Sequence, residues 1–318
     1  MGNSSQNKVF GIATLLIIVP ILLGSQLPLG FDKVIFLASL ILFGIPHGAI
    51  DHIIYQHSKA ESNNISKSGL SFYVPYILIL ITTIGFWLLI PALMFWIFLL
   101  ISAYHFGQSQ LYYIKLPEKN FQKWTLYLVW GIFILSNLWF YNWEALQPII
   151  LTLFDWNLNF DSFLYFTIKH LSYSSGFSVL ILLFYTALDN ELKWYMFLQE
   201  LIVLIILYTL IRTTSVYLSF GIYFGIWHAL RVIITEYKHL NHNPTKQVSF
   251  KAFCISFIPF SVLSFAGIGL LLLFNYFFHE KISNFMLFLI AISALTMPHA
   301  LVMQGMYKLL VQPKLSKS

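Results

Sequence analysis

PALMFWIFLLISAYHFGQSQLYY, residues 91–113, carries no charged side chain over its whole length. A helix that crosses the hydrocarbon core of a bilayer needs about 20 predominantly apolar residues, and this stretch supplies them. It also holds His105. Ionisable side chains at membrane depth are costly and mark function by default. One segment thus sets both the fold class and the functional question.

The rest of the chain repeats the pattern. Of 318 residues 58% are hydrophobic and only 9% charged, against about 25% charged in soluble domains. An ordinary soluble domain is excluded. Hydropathy places about ten spans near 9–29, 34–55, 70–90, 91–113, 124–143, 172–188, 194–213, 214–236, 250–278 and 284–310. The splits at Pro91 and near Thr213 leave very short loops. The stretch 144–171 holds Asp155, Asp161, Lys169 and many aromatics, and is read as carrying an interfacial or re-entrant piece. The first apolar stretch is too long for a signal-peptide core and reads as a retained helix. No soluble domain, linker or low-complexity tract stands out, so 1–318 is expected to be a single integral membrane domain. Aromatics reach 18%. They fill gaps between helices or line an apolar cavity, and composition does not separate the two.

Charge orients the spans. With the N-terminus in the cytoplasm, the inner side receives Lys8, Lys59, Lys67, Lys115, Lys119, Lys123, Lys193, Arg231, Lys238, Lys246, Lys251, Lys308, Lys314 and Lys317. The outer side receives Lys33, Lys169, Arg212 and Lys281, four of the 18 basic residues. This is the positive-inside bias, and it predicts both termini in the cytoplasm and a multi-pass protein of the cell (inner or plasma) membrane. It also explains the net charge of +6 without a nucleic-acid partner. The lone Cys254 allows no intrachain disulfide and no cysteine-based zinc site.

Ten histidines are present. His57, His239, His242 and His279 fall in or near loops and read as solvated polar residues. His170 falls just before a helix, at the interface. Four others lie inside spans: His47 in GIPHGAIDH, His105 in SAYHFGQSQ, His228 in FGIWHALRVI and His299 in TMPHALVM. Their spans, the second, fourth, eighth and tenth, all run outside to inside. At 1.5 Å per residue all four histidines sit at one depth, roughly 12–18 Å from the inner helix end. Hydropathy and charge alone set the spans, so the coincidence is not built in. A lone membrane histidine is more often an interhelical hydrogen bonder than a ligand. Four at one depth point to a shared metal or cofactor, and neutral imidazole suits zinc, copper, iron and nickel.

Neighbouring residues extend the candidate site. Asp51 lies one helical turn after His47 and is expected to share its face. It suits the carboxylate that orients a metal-bound histidine, or serves as an interfacial charge. His52, about 140° round the helix from His47, should not reach the same metal. Glu200 lies near the same depth, where it would balance a cation's charge, or else hydrogen-bond to a neighbouring helix. Pro46 and Pro298 each precede a histidine and are expected to kink the helix beside the site. Arg231 is expected to snorkel to the inner surface.

PHGAIDH, YHFGQSQ and the Trp-His of GIWHALR, in that order on apolar spans, resemble the Brp/Blh family of bacterial and archaeal membrane β-carotene 15,15′-dioxygenases. The likeness covers nearly the whole chain in length and span layout. It implies ferrous iron, Fe(II), held by histidines, and cleavage of the central double bond of β-carotene by O2 to two molecules of retinal. That retinal often serves a microbial rhodopsin in the same cell. By matching motif it implies His47, His105 and His228 as iron ligands. His299 joins them from its depth and its Pro-His dipeptide. Some family members carry a further histidine one turn after the Trp-His motif. Here Val232 stands there and cannot ligate, so either His299 completes the set, which is the favoured reading, or only three histidines bind. Read without the resemblance, the sequence also allows a haem protein with paired axial histidines or a metal or proton translocator. The HxxxH and HxxHH boxes of a membrane di-iron desaturase are absent.

Overall fold

The computed structural model describes residues 3–23, 27–61, 69–114, 116, 121–154, 158–241, 247–277 and 283–311. Every regular element among them is helical. The first half comprises α1 (Asn3–Leu23), α2 (Phe31–Ser39), α3 (Asp51–Glu61), α4 (Leu70–Leu89), α5 (Pro91–Leu111), α6 (Phe121–Tyr141) and α7 (Trp143–Phe154). The second comprises α8 (Leu158–Leu188), α9 (Trp194–Thr213), α10 (Val216–Gly221), α11 (Leu230–Leu240), α12 (Phe250–Ser256), α13 (Ile258–Phe277) and α14 (Asn284–Val311).

Among the described residues, 9 helical stretches are long and apolar enough to cross a membrane. They coincide with nine of the ten expected spans, and the chain is an all-α polytopic membrane protein. The expected first span is α1, whose described apolar part is the shorter Thr14–Leu23. The ambiguous 144–171 stretch becomes α7 and the N-terminal part of the long α8, which starts well before the expected 172. Asp155, His242 and His279 lie outside the described residues.

Two spans are not uniform helices. Phe31–Ala60 passes from α2 through a π-helical turn (Leu40–Gly44) and a 3₁₀ turn (Pro46–Gly48) into α3. Val216–Leu240 contains an eight-residue π-helical stretch, Ile222–Ala229, between α10 and α11. Such widened turns are rare and frequent at functional sites. Pro46 opens the 3₁₀ turn, whose bond runs from the Ala49 N–H to the Pro46 carbonyl at 2.8 Å. With no N–H of its own, Pro46 cannot continue the helix behind it. Pro298 lies inside α14, which runs through it unbroken. The same dipeptide breaks one span and is absorbed by another.

The chain forms two compact units. Unit 1 is Met1–Gly44 with Ala103–Ile233, and unit 2 is Ile45–Ser102 with Ile234–Ser318. In unit 1, α6 packs along α8 and α9, α1 along α9, and α10 along α2. Two glycines bring α5 and α6 into close backbone contact. A Cβ on Gly107 would land on the Tyr127 carbonyl, and one on Gly131 on the Ala103 carbonyl. Along its own helix each glycine lies four residues from the residue that the other glycine meets, so the two backbones meet along one turn. Lipid tails are as apolar as leucine, so this kind of small-residue packing, rather than hydrophobicity, draws membrane helices together. In unit 2, α14 packs against α3, α4 and α13. The Trp87 indole N–H of α4 donates to the Ser293 hydroxyl of α14 at 2.6 Å.

Candidate metal centre

In unit 1, His105 stands two residues before Gly107, so the α5–α6 crossing fixes the backbone that carries it. His228 lies in the π-helical stretch 222–229. That stretch is pressed onto α2 by two glycines one turn apart. A Cβ on Gly221 would stand 2.8 Å from the Phe36 Cα, and one on Gly225 would stand 2.6 Å from the Ser39 Cβ. The result brings His105 and His228 together. Their ring centroids are 5.0 Å apart with planes at 76°. Each offers a ring nitrogen within 4.8 Å of the other's, and both are buried.

The hydrogen bonds around His228 select its tautomer. The Ser109 hydroxyl donates to the Phe106 carbonyl at 2.9 Å, so its oxygen accepts from His228 Nδ1–H at 3.0 Å. With the proton on Nδ1, Nε2 carries the lone pair that a metal would take. The Phe224 ring stacks on His228 at 5.8 Å and 14°, and the Phe106 ring meets it edge-on at 4.8 Å. A cavity of about 10 Å³ beside His228, lined by Ser109, Gln110, Trp130 and Arg231 among others, has room for one water at most.

In unit 2, the 3₁₀ turn presents His47 and α14 presents His299. Their ring centroids are 4.6 Å apart with planes at 81°. A Cβ on Gly48 would stand 3.4 Å from His299 Nδ1. Asp51 opens α3 four residues after His47, and both residues meet His299. Its carboxylate turns to His299, accepting from Nδ1–H on Oδ1 at 2.8 Å, while the Tyr76 hydroxyl donates to Oδ2 at 3.0 Å. His299 is thereby also set to present Nε2. His52 points elsewhere, against Phe260 at 4.5 Å and Tyr73 at 6.3 Å.

Glu200 is built into a different arrangement. It is 4% exposed on α9. It accepts from Gln110 Nε2 on both oxygens, at 3.0 and 2.9 Å, and from the Tyr113 hydroxyl at 2.7 Å. Of the two expected roles, hydrogen bonding to a neighbouring helix describes its contacts.

Three further expectations need correction. Arg231 does not reach for the surface. It is half-buried, donates to Gln110 Oε1 and lies over the Trp227 ring at 4.9 Å. His239 is not a solvated loop residue. The helix α11 extends to Leu240, so His239 sits in its last turn at 2% exposure. Its Nε2 is 3.3 Å from His57 Nδ1 and 3.3 Å from the Ser58 hydroxyl. His170 is an exposed residue within α8, against Phe166, rather than before a helix. The sequence reading passed over Ser109, Gln110, Tyr113 and Tyr76, since uncharged polar residues and tyrosines are common in membrane helices.

Comparison with known proteins adds one finding. A family model described as Beta-carotene 15,15'-dioxygenase matches residues 38–307. No curated protein and no solved structure matches the chain.

Proposed function

The chain belongs to the beta-carotene 15,15'-dioxygenase family, and from that premise we propose that it cleaves the central double bond of β-carotene with O2, giving two molecules of retinal. The observation that carries this reading is the pair of buried histidine couples. In each, one ring has its Nδ1–H held, by Ser109 for His228 and by Asp51 for His299. A hydrogen-bonded Nδ1 is the usual device for aiming Nε2 at a metal. An all-imidazole donor set without thiolate suits iron among the first-row metals.

His47, His105, His228 and His299 are the proposed ligands of one ferrous ion, which when bound supplies the activation of dioxygen. The protein positions substrate and keeps water out. Phe106 and Phe224 pack on the His228 ring and keep its surroundings apolar. Asp51 places one negative charge behind His299 and offsets part of the cation's charge in a low-dielectric site. β-Carotene is rigid and wholly apolar and partitions into the bilayer, so a site within a multi-pass protein of the plasma membrane meets its substrate there. The retinal formed would serve a retinal-binding rhodopsin in the same cell.

The test is expression in cells that make β-carotene, with chromatography for retinal. Loss of carotene with appearance of retinal is expected. His105→Ala is expected to abolish turnover and lower the iron content of the purified protein, and His170→Ala to change neither. Full turnover in His105→Ala refutes the metal centre, and intact carotene with iron-loaded protein refutes the substrate.

A further inference from the structure

We infer that Gln110 is a positioning residue that fastens the helical stretch carrying His228 to the buried Glu200 carboxylate. This rests on reading His228 as a metal ligand. Gln110 is 3% exposed near the C-terminal end of α5. Its Nε2 donates to both Glu200 oxygens, at 3.0 and 2.9 Å. Its Oε1 accepts from the Trp227 indole N–H at 3.1 Å and from the Arg231 guanidinium. Trp227 immediately precedes His228 and Arg231 follows it by three residues, so the two contacts bracket the histidine.

The arrangement demands an amide. Glu200 accepts only, and Trp227 and Arg231 donate only. A side chain between them must donate on one side and accept on the other. A carboxylate lacks the donor, and an aliphatic chain lacks both. Reversing the amide would set its NH2 against two donors and its carbonyl against a carboxylate, so its orientation is dictated. The amide thereby carries the attraction between Arg231 and Glu200 across α5.

The position of the contact explains its value. His228 lies in a π-helical stretch, where the backbone bonds are longer in register than in an α-helix. Local hydrogen bonding therefore holds the rotation of that segment less tightly. The Gln110 bridge supplies a hold from outside the helix, on the residues either side of the ligand. It acts on the direction of the His228 ring and touches neither metal nor substrate.

The test uses the full-length protein in detergent with Co(II) as the probe, reading affinity and the visible d–d absorption bands. Gln110→Glu places two carboxylates face to face. It is expected to weaken Co(II) binding by about tenfold or more, the range for groups that orient metal ligands, and to shift the bands. The reciprocal swap, Gln110→Glu with Glu200→Gln, again sets a donor against an acceptor on each side of residue 110, keeping one of the two contacts to residue 200 and the Tyr113 bond. A carboxylate then faces Trp227 and Arg231, and an amide faces it from α9. The swap is expected to return affinity to within about threefold of wild type, with wild-type bands. Unchanged affinity and bands in Gln110→Glu overturn the inference. So does a swap variant as impaired as the single one, whether in binding or in folding. His228→Ala run alongside separates the two failures. If it binds Co(II) like wild type, the metal reading itself falls. If it does not, and Gln110→Glu does, only the positioning role falls.

Discussion

Replacing Asp51 tests the link between the fold of unit 2 and the proposed metal. Asp51 holds His299 Nδ1 at 2.8 Å through one oxygen and receives the Tyr76 hydroxyl at 3.0 Å on the other. In Asp51→Asn the amide carbonyl still accepts from His299, and its NH2 finds the Tyr76 oxygen. The loss is mainly charge. Substitution of an outer carboxylate costs about 10- to 100-fold in metal affinity. With the hydrogen bonds kept, Asp51→Asn is expected near the lower limit, about 1.4 kcal/mol. Asp51→Ala removes the acceptor of the buried His299 Nδ1–H and of the half-buried Tyr76 hydroxyl, at about 1–3 kcal/mol in stability for the buried one. It is expected near the 100-fold limit, with a lower unfolding temperature. The assay is ferrous iron affinity in detergent, together with retinal formed from β-carotene. Iron affinity in Asp51→Ala equal to wild type would refute the reasoning that this carboxylate aims a ligand, because His299 would then bind with its Nδ1 unsupported or not bind at all.

Ser109→Ala takes the acceptor from His228 Nδ1–H and is expected to weaken iron binding by about tenfold, while leaving expression close to normal; unchanged iron content would count against the Nε2 tautomer. Gly107→Ala forces a methyl onto the Tyr127 carbonyl and is expected to destabilise by about 1–3 kcal/mol or more, read as a fall in thermal unfolding temperature and monodisperse yield. His57→Ala and His239→Ala break a hydrogen-bonded pair outside the proposed ligand set. They are expected to leave iron content at wild-type levels and to cost about 1 kcal/mol of stability; loss of iron in either would show that the ligand set is drawn wrongly.

The spans and the histidines within them were legible in the sequence, because crossing a bilayer is a local requirement of length and apolarity. A run such as residues 91–113 meets it without help from the rest of the chain. Nine described spans fall where hydropathy put them, and a family resemblance carried on three short motifs agrees with the match over residues 38–307. Local rules went astray where the helix itself was not regular. Counting 100° per residue put His47 and Asp51 on one regular helix, but His47 sits in a 3₁₀ turn that ends before α3 begins at Asp51, so the count does not set their geometry. The same rules put Arg231 at the surface, though a carbonyl oxygen on a neighbouring helix gave it a nearer partner. Partnerships were beyond the sequence altogether. Asp51 meets His299 across 248 positions, and Gln110 meets Glu200 across 90. Burial in lipid obliges each polar group to find a partner inside the protein, but which helix supplies it depends on how the helices cross. That is decided by close contacts such as Gly107 against Tyr127, which exist only once the chain has folded.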